Sequence, residues 1–322
     1  MKMTLRAACA TFAIACAAPA GAQEYPVKPV RIVVPFSPGG VADNSARGVS
    51  DALSALLKQQ VVIDNRPGAS GNIGSQLVAQ AAPDGYTLLL GFDGTMVINP
   101  HVFSKLPFDT LRDFAPVTKL GDAALILVSH PSLPARNLAQ FVAFAKKTKT
   151  PFAYGTSGTG GTPHLAGELL KQRTGIALEH IAYKGGGQAI VDGISGQIPL
   201  VFTAVATAQQ YVKAGRLVGL GVPGAKRTPA LPDVPTFSES GQSGFDVTSW
   251  VGILAPAKTP RAIVERLQRE IAAALKTQQV RDRYAALGID PVGNTPEQFT
   301  EQIKADLARW EKVVRAANIR IE

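Results

Sequence analysis

Three glycine- and hydroxyl-rich stretches hold the residues best suited to chemistry. They are Ser37-Pro-Gly-Gly-Val-Ala-Asp43, Tyr154-Gly-Thr-Ser-Gly-Thr-Gly-Gly-Thr-Pro-His164 and Tyr183-Lys-Gly-Gly-Gly187. Each follows a short apolar run and opens a segment with apolar residues at helical spacing. A strand–loop–helix turn of this kind leaves backbone N–H groups free at the positive end of the helix, where a carboxylate or phosphate accepts from them. Glycine lets the backbone approach a ligand closely, and Ser and Thr hydroxyls can donate or accept. Taken singly, each loop reads equally well as a tight turn of a parallel sheet. Together they are expected to grip a negatively charged solute from two sides. Asp43 is expected to cap its helix or to contact a ligand amine or hydroxyl, and Phe36 to wall the cleft or to pack half-buried. His164 falls in a first helical turn, where the dipole disfavours its charged form, and is read as either packing or ligand-facing.

Reactive readings of the same residues fit less well. Gly155-Thr-Ser-Gly-Thr lacks the final glycine of a G-x-S-x-G nucleophile elbow, which weakens the case for Ser157. The run has the glycine spacing of a phosphate loop, but Gly161 stands where its lysine belongs. Gly39-Gly40 is not a G-x-G-x-x-G dinucleotide turn, and Asp43, Asp93 and Glu168 form no evident acid/base pair. The four histidines show no i, i+4 pair, so neither metal nor cofactor is expected. The reading is a cleft built to hold a solute without transforming it. An exported hydrolase using Ser157, or a receptor that reports to a signalling partner, are the alternatives.

Alternating elements position these loops. A strand near 30–34, a helix from 43, a strand at 61–63, a helix at 75–82 and a strand at 86–90 give a βαβαβ order, which implies parallel pairing. The loop 91–96 should then lie beside the turn 35–40, at the carboxyl ends of the strands. After 125 the pattern restarts: strands at 125–129, 152–154, 178–183, 198–202 and 217–222 alternate with helical segments, one of them with Thr162 as N-cap before Pro163. Residues 247–254 read as a return strand. The helices 261–276, 279–287 and 296–316 follow, with Leu267, Ile271 and Leu275 at the spacing of a packed face, and are expected to cover the first sheet. The expected architecture is α/β, two lobes, each a mainly parallel sheet flanked by helices. Residues 23–124 and 247–322 form lobe 1 and 125–246 lobe 2, with a cleft and hinge between them.

At 322 residues, 46% hydrophobic and 18% charged, the chain is globular in composition. Its net charge of +9 comes from scattered Lys and Arg, which argues against a nucleic-acid face. Lys2 and Arg6, then a small apolar run to Ala18 and Ala20-Gly-Ala22, read as an export signal cut after Ala22. Residues 1–22 contain both cysteines, Cys9 and Cys16, so the exported chain would carry no thiol, as suits an oxidising compartment.

Several motifs, in order, resemble one family. They are Tyr25-Pro-Val-Lys-Pro-Val-Arg-Ile-Val-Val-Pro-Phe-Ser-Pro-Gly-Gly-Val-Ala-Asp43, Asp64-Asn-Arg-Pro-Gly-Ala-Ser-Gly-Asn-Ile-Gly74, Pro83-Asp-Gly-Tyr-Thr-Leu-Leu89 and Tyr183-Lys-Gly-Gly-Gly187. The chain resembles the tripartite tricarboxylate transporter substrate-binding receptors, the Bug family, from Tyr25 to the C-terminal helices. That resemblance implies a periplasmic solute-binding receptor of Venus-flytrap fold that captures a small carboxylate and presents it to membrane permease subunits. A monomer without cofactor or nucleic-acid partner is expected. The resemblance also assigns ligand contact to Ser37, Gly39, Gly40, Asp43 and Thr95 in lobe 1, and to Ser157, Gly160, Gly161, Thr162, His164 and Gly186 in lobe 2, while Phe36 and Thr203 are expected to face the ligand from the reading of the residues. Thr203 stands where many relatives carry an acidic residue, which puts an amino-group preference in question. Phe92 and Asp93 are atypical and are expected to tune the distal end of the ligand.

Overall fold

The computed structural model describes residues 25–148, 150–183 and 186–320. The export signal read at 1–22, and Lys184 and Gly185 of the third glycine turn, lie outside the described residues. In chain order, β1 (Val30–Val34), α1 (Val41–Leu57), β2 (Val61–Asn65), α2 (Asn72–Ala79) and β3 (Thr87–Phe92) build the expected βαβαβ unit. A π-helical turn (Gly94–Ile98) and α3 (Asn99–Val102) lead to β4 (Phe114–Ala123). One residue later the chain enters the other sheet through β5 (Leu125–Ser129). There follow α4 (Leu138–Ala145), β6 (Phe152–Thr156), α5 (Thr162–Thr174), β7 (Leu178–Ala182), α6 (Gly186–Ser195), β8 (Leu200–Ala204), α7 (Val205–Lys213) and β9 (Val218–Gly221). The return runs through β10 (Ser249–Pro256), α8 (Arg261–Leu275), α9 (Gln278–Ala286), β11 (Ile289–Pro291) and α10 (Pro296–Ala317).

Six strands form one sheet in the order β11-β4-β10-β3-β1-β2 and five form the other as β7-β6-β8-β5-β9. The two-sheet α/β fold is as expected, but the pairing is more mixed than expected. It is parallel in β2–β1–β3 and in β7–β6–β8. It is antiparallel around β4, β5 and β10, the strands next to the crossings between the sheets. A strand that carries the chain directly to or from the other lobe has no crossover helix to bring it back parallel.

Alternation along β1 shows how the first sheet is covered. Val30, Ile32 and Val34 face a core shared with Leu53 of α1, Leu267 and Ile271 of α8 and Tyr284 of α9. Val33 points the other way, into a core that also holds Trp310 of α10 and, from the second lobe, Phe141, Leu165 and Phe202. The C-terminal helices therefore do more than cover the first sheet. α8 and α9 do so, while α10 packs against β4 and α3 and also against α5 of the second lobe. The Trp250 indole N–H of β10 donates to Asp306 of α10 at 2.9 Å and fixes this helix to the return strand.

Candidate functional site

Both parallel units end in a glycine loop that opens a helix, and both loops reach one cavity. α1 has Gly40 as its N-cap and α5 has Gly161, and neither start receives a side-chain cap. Two other helices do carry a side-chain cap: Asn137 accepts from the Gln140 N–H in α4, and Thr295 forms a capping box with Gln298 in α10, whereas α2, α7, α8 and α9 have none. Gly40 and Gly161 sit at φ of −79° and −80° in the extended region, which other residues reach without strain. A Cβ at Gly40 would meet nothing nearer than 4.0 Å, and one at Gly161 nothing nearer than 3.8 Å. Backbone geometry does not require glycine at either cap, and Ser or Asp there would stabilise the helix better. What glycine leaves is an open helix N-terminus with free N–H groups. The neighbours Gly39 and Gly160 do need glycine, with φ of +87° and +77° in the left-handed region.

The cavity has a volume of about 650 Å³. Phe36, Gly39, Gly40, Val41, Ala42, Asn44 and Phe92 line it from the first lobe, and Leu125, Ser157, Gly161, Thr162, Gly186, Thr203 and Thr207 from the second. Ser249 at the start of β10 and Leu287 after α9 complete the wall. A recess of about 270 Å³ shares Phe36, Phe92, Ser157 and Gly161 with it and adds Ser70, Thr95, Asn99 and Gly160. Phe36 and Phe92 stand edge to face with centroids 5.5 Å apart. Among the described residues, none lining either space carries a charge. An anion here would be met by backbone N–H groups, hydroxyls and helix dipoles, a neutral grip of the kind found at helix N-termini.

Of the residues expected to touch ligand, Phe36, Gly39, Gly40, Ser157, Gly161, Thr162, Gly186 and Thr203 line the larger space, and Thr95 and Gly160 the recess. Ser37, Asp43 and His164 line neither. Ser37 is exposed on the loop. Asp43 is the third residue of α1 and not its N-cap, and its buried carboxylate turns back onto its own loop. It accepts from the Gly39 N–H at 2.9 Å, from Arg47 Nε at 3.0 Å and from Asn65 Nδ2 at 2.9 Å. Burial pulls its pKa up, but those three bonds outweigh burial and hold the carboxyl below its ordinary value. Asp43 is thus the brace of the first glycine loop.

Thr162 is also placed differently from its expected role. It is the first residue of α5, after the Gly161 cap, and its hydroxyl donates to Asp93 Oδ2 at 2.5 Å across the two lobes. His164 is buried and stacks on His180 with ring centroids 3.7 Å apart. Its Nδ1 accepts from the Gly160 N–H at 3.0 Å, so the imidazole holds the second glycine loop much as Asp43 holds the first. Burial, followed by the charge of Lys171, pushes the His164 pKa down to about 4. Burial, followed by His164 itself, takes His180 to about 3 against the pull of Glu168. His180 Nε2 bonds Thr156 Oγ1 at 2.7 Å, and among the described residues no hydrogen bond joins either ring to Ser157. Among the described residues no three His, Cys, Asp or Glu side chains form a metal-binding group.

Sequence reasoning missed Ser249, Asn44 and Thr207. Asn44 donates to the Gly39 carbonyl at 3.0 Å and Thr207 lies in the first turn of α7, which follows Thr203 of β8. Helical spacing from the first glycine turn could have drawn attention to Asn44. Nothing local marks Ser249.

The family described as tripartite tricarboxylate transporter family receptor matches residues 45–319. The BugT protein of Bordetella pertussis is 35% identical over 307 residues, spanning 95% of this chain and 94% of its own. An R. palustris protein solved with adipate superimposes with a TM-score of 0.82 at 34% identity, over 92% of this chain and 99% of that one. MatC from Rhodopseudomonas palustris, solved with bound malate, gives 0.78 at 30% identity, over 90% and 100%.

Proposed function

Because the chain belongs to the tripartite tricarboxylate transporter receptor family, a family of solute-binding receptors, we propose that it captures a small carboxylate between its lobes in the periplasm. It then hands the solute to the membrane subunits of such a transporter. The observation that carries this reading is the pair of uncapped helix starts, Gly40 and Gly161, that open on one uncharged cavity from opposite lobes. Two N-terminal dipoles and their free N–H groups favour an anion, and among the described residues no lysine or arginine in the wall favours phosphate in particular. Adipate and malate, the ligands of two relatives, are of this class. No helix among the described residues is long and apolar enough to cross a membrane. The protein acts in this reading as a receptor and not as an enzyme: His164 and His180 are engaged by the Gly160 N–H and by Thr156, and among the described residues Ser157 has no histidine partner. A ligand that prefers the closed arrangement of the lobes drives closure by that difference in affinity.

A thermal-shift screen of carboxylates against their amides tests the reading. At a hundredfold excess over Kd a ligand of the folded state adds about 2.7 kcal/mol, which raises Tm by several degrees. A carboxylate that raises Tm while its amide does not supports the anion grip. If amide and acid stabilise equally, the helix N-termini are not what binds.

A further inference from the structure

Asp93 follows β3 directly, is 1% exposed, and does not itself line the cavity. Its Oδ2 accepts from the Thr162 hydroxyl of the second lobe, and its Oδ1 from the Ser249 hydroxyl of the return strand at 2.8 Å. Both hydroxyl residues do line the cavity. A hydroxyl has one proton to give and two lone pairs to offer. With both protons committed to one carboxylate, the two oxygens can meet a ligand only as acceptors.

We propose that Asp93 sets the hydrogen-bond polarity of this part of the cleft. By taking the protons of Thr162 and Ser249 it makes the receptor select carboxylates that carry a hydrogen-bond donor, a hydroxyl or an ammonium, over plain aliphatic acids. This inference rests on the carboxylate-receptor reading above and adds which acids are held. A bare carboxylate or methylene placed against those oxygens leaves them without a donor, a mismatch that a built polar site rejects strongly. A hydroxyl or ammonium gives each a partner, and an ammonium also gains from the negative charge of Asp93 behind them. Asp93 touches no ligand in this arrangement. It is a positioning residue that acts through Thr162 and Ser249.

The test is titration calorimetry at pH 8 with matched acids. These are aliphatic mono- and dicarboxylates of three to six carbons, each beside its hydroxy- and amino-substituted form. The wild-type protein should bind at least one substituted acid roughly tenfold or more tighter than its parent. Asp93→Asn should shrink that ratio several-fold, because the amide donates to one hydroxyl and frees that proton to point into the cleft. Ser249→Ala, which keeps the carboxylate and deletes one acceptor, should shrink it in part and serves if the Asn variant does not fold. A hydroxy acid as the best ligand supports polarity alone; an amino acid supports polarity with charge. A parent acid that binds as tightly as its substituted forms overturns this inference and leaves the receptor reading standing, as does a ratio unmoved by both variants. If no acid of either kind binds, the receptor reading fails and this inference falls with it.

Discussion

At the scale of single residues, the groups that titrate serve the loops more than the ligand. Asp43 is the sole side-chain acceptor for the Gly39 N–H among the described residues. Asp43→Ala should cost about 1–3 kcal/mol in urea unfolding, since it leaves that N–H and Arg47 without their partner. It should also weaken ligand binding, although Asp43 does not reach the cavity. His164 and His180 are held neutral by burial, with folded-state values of about 4 and 3 below the ordinary 6.5. The unfolded chain therefore binds more protons between pH 6.5 and 4. Their contribution is fully present above pH 6.5 and is lost as the pH falls towards 4. Unfolding measured across that window should show a steeper loss in the wild type than in His164→Asn. Asp93 has the opposite sign. Burial pushes it up to about 7, against hydrogen bonds from Thr162, Ser249 and the Gly94 N–H and with Asp306 of α10 adding to the rise. A group bound to its proton in the fold and not in the unfolded chain stabilises below pH 3.8, and that contribution is lost as the pH rises through 7. Asp93→Asn should therefore gain in stability relative to wild type between pH 6 and 8.

At the scale of elements, the informative choice is glycine at two N-caps where other residues would fit. The α1 and α5 starts give up about a few tenths of a kcal/mol of capping each and keep their N–H groups open to the cavity. Gly161→Asp should reverse this choice. An aspartate in the extended N-cap conformation accepts from the first turn of α5, so the unliganded protein should be as stable as wild type or slightly more so. The same carboxylate occupies the anion position, and binding should fall by tenfold or more. Tm and titration calorimetry on one preparation read both effects. If the variant is destabilised and binds normally, the helix start is not the anion site.

At the scale of the whole molecule, the two sheets share a core. Val33 and Leu89 of one lobe and Leu165 and Phe202 of the other belong to a single buried cluster with Trp310. α10 touches both lobes, so the fold is closed by its last helix. Calorimetry should show one cooperative transition for both lobes, with calorimetric and van't Hoff enthalpies that agree. Trp310→Ala, which opens a cavity at this junction, should cost about 3–5 kcal/mol. Two separate transitions in the wild type would show that the lobes are stabilised independently.

The α/β alternation and the glycine turns that open α1 and α5 could be read from the chain alone. Each depends on neighbours a few residues apart: the period of apolar residues, the turn chemistry of glycine, the opening of a helix. Helix starts lie one to three residues before the expected ones where a glycine stands at the cap, by one at Thr162, because open caps carry no local signal. The shared core under α10 and the partnership of Asp93 with Thr162 and Ser249 came only with the tertiary structure. Those three residues are separated by 69 and 156 positions in the chain. No local propensity links them. What joins them is the packing of β3, α5 and β10 at one end of the cleft, where burial leaves a carboxylate only the hydroxyls and the Gly94 N–H to satisfy it.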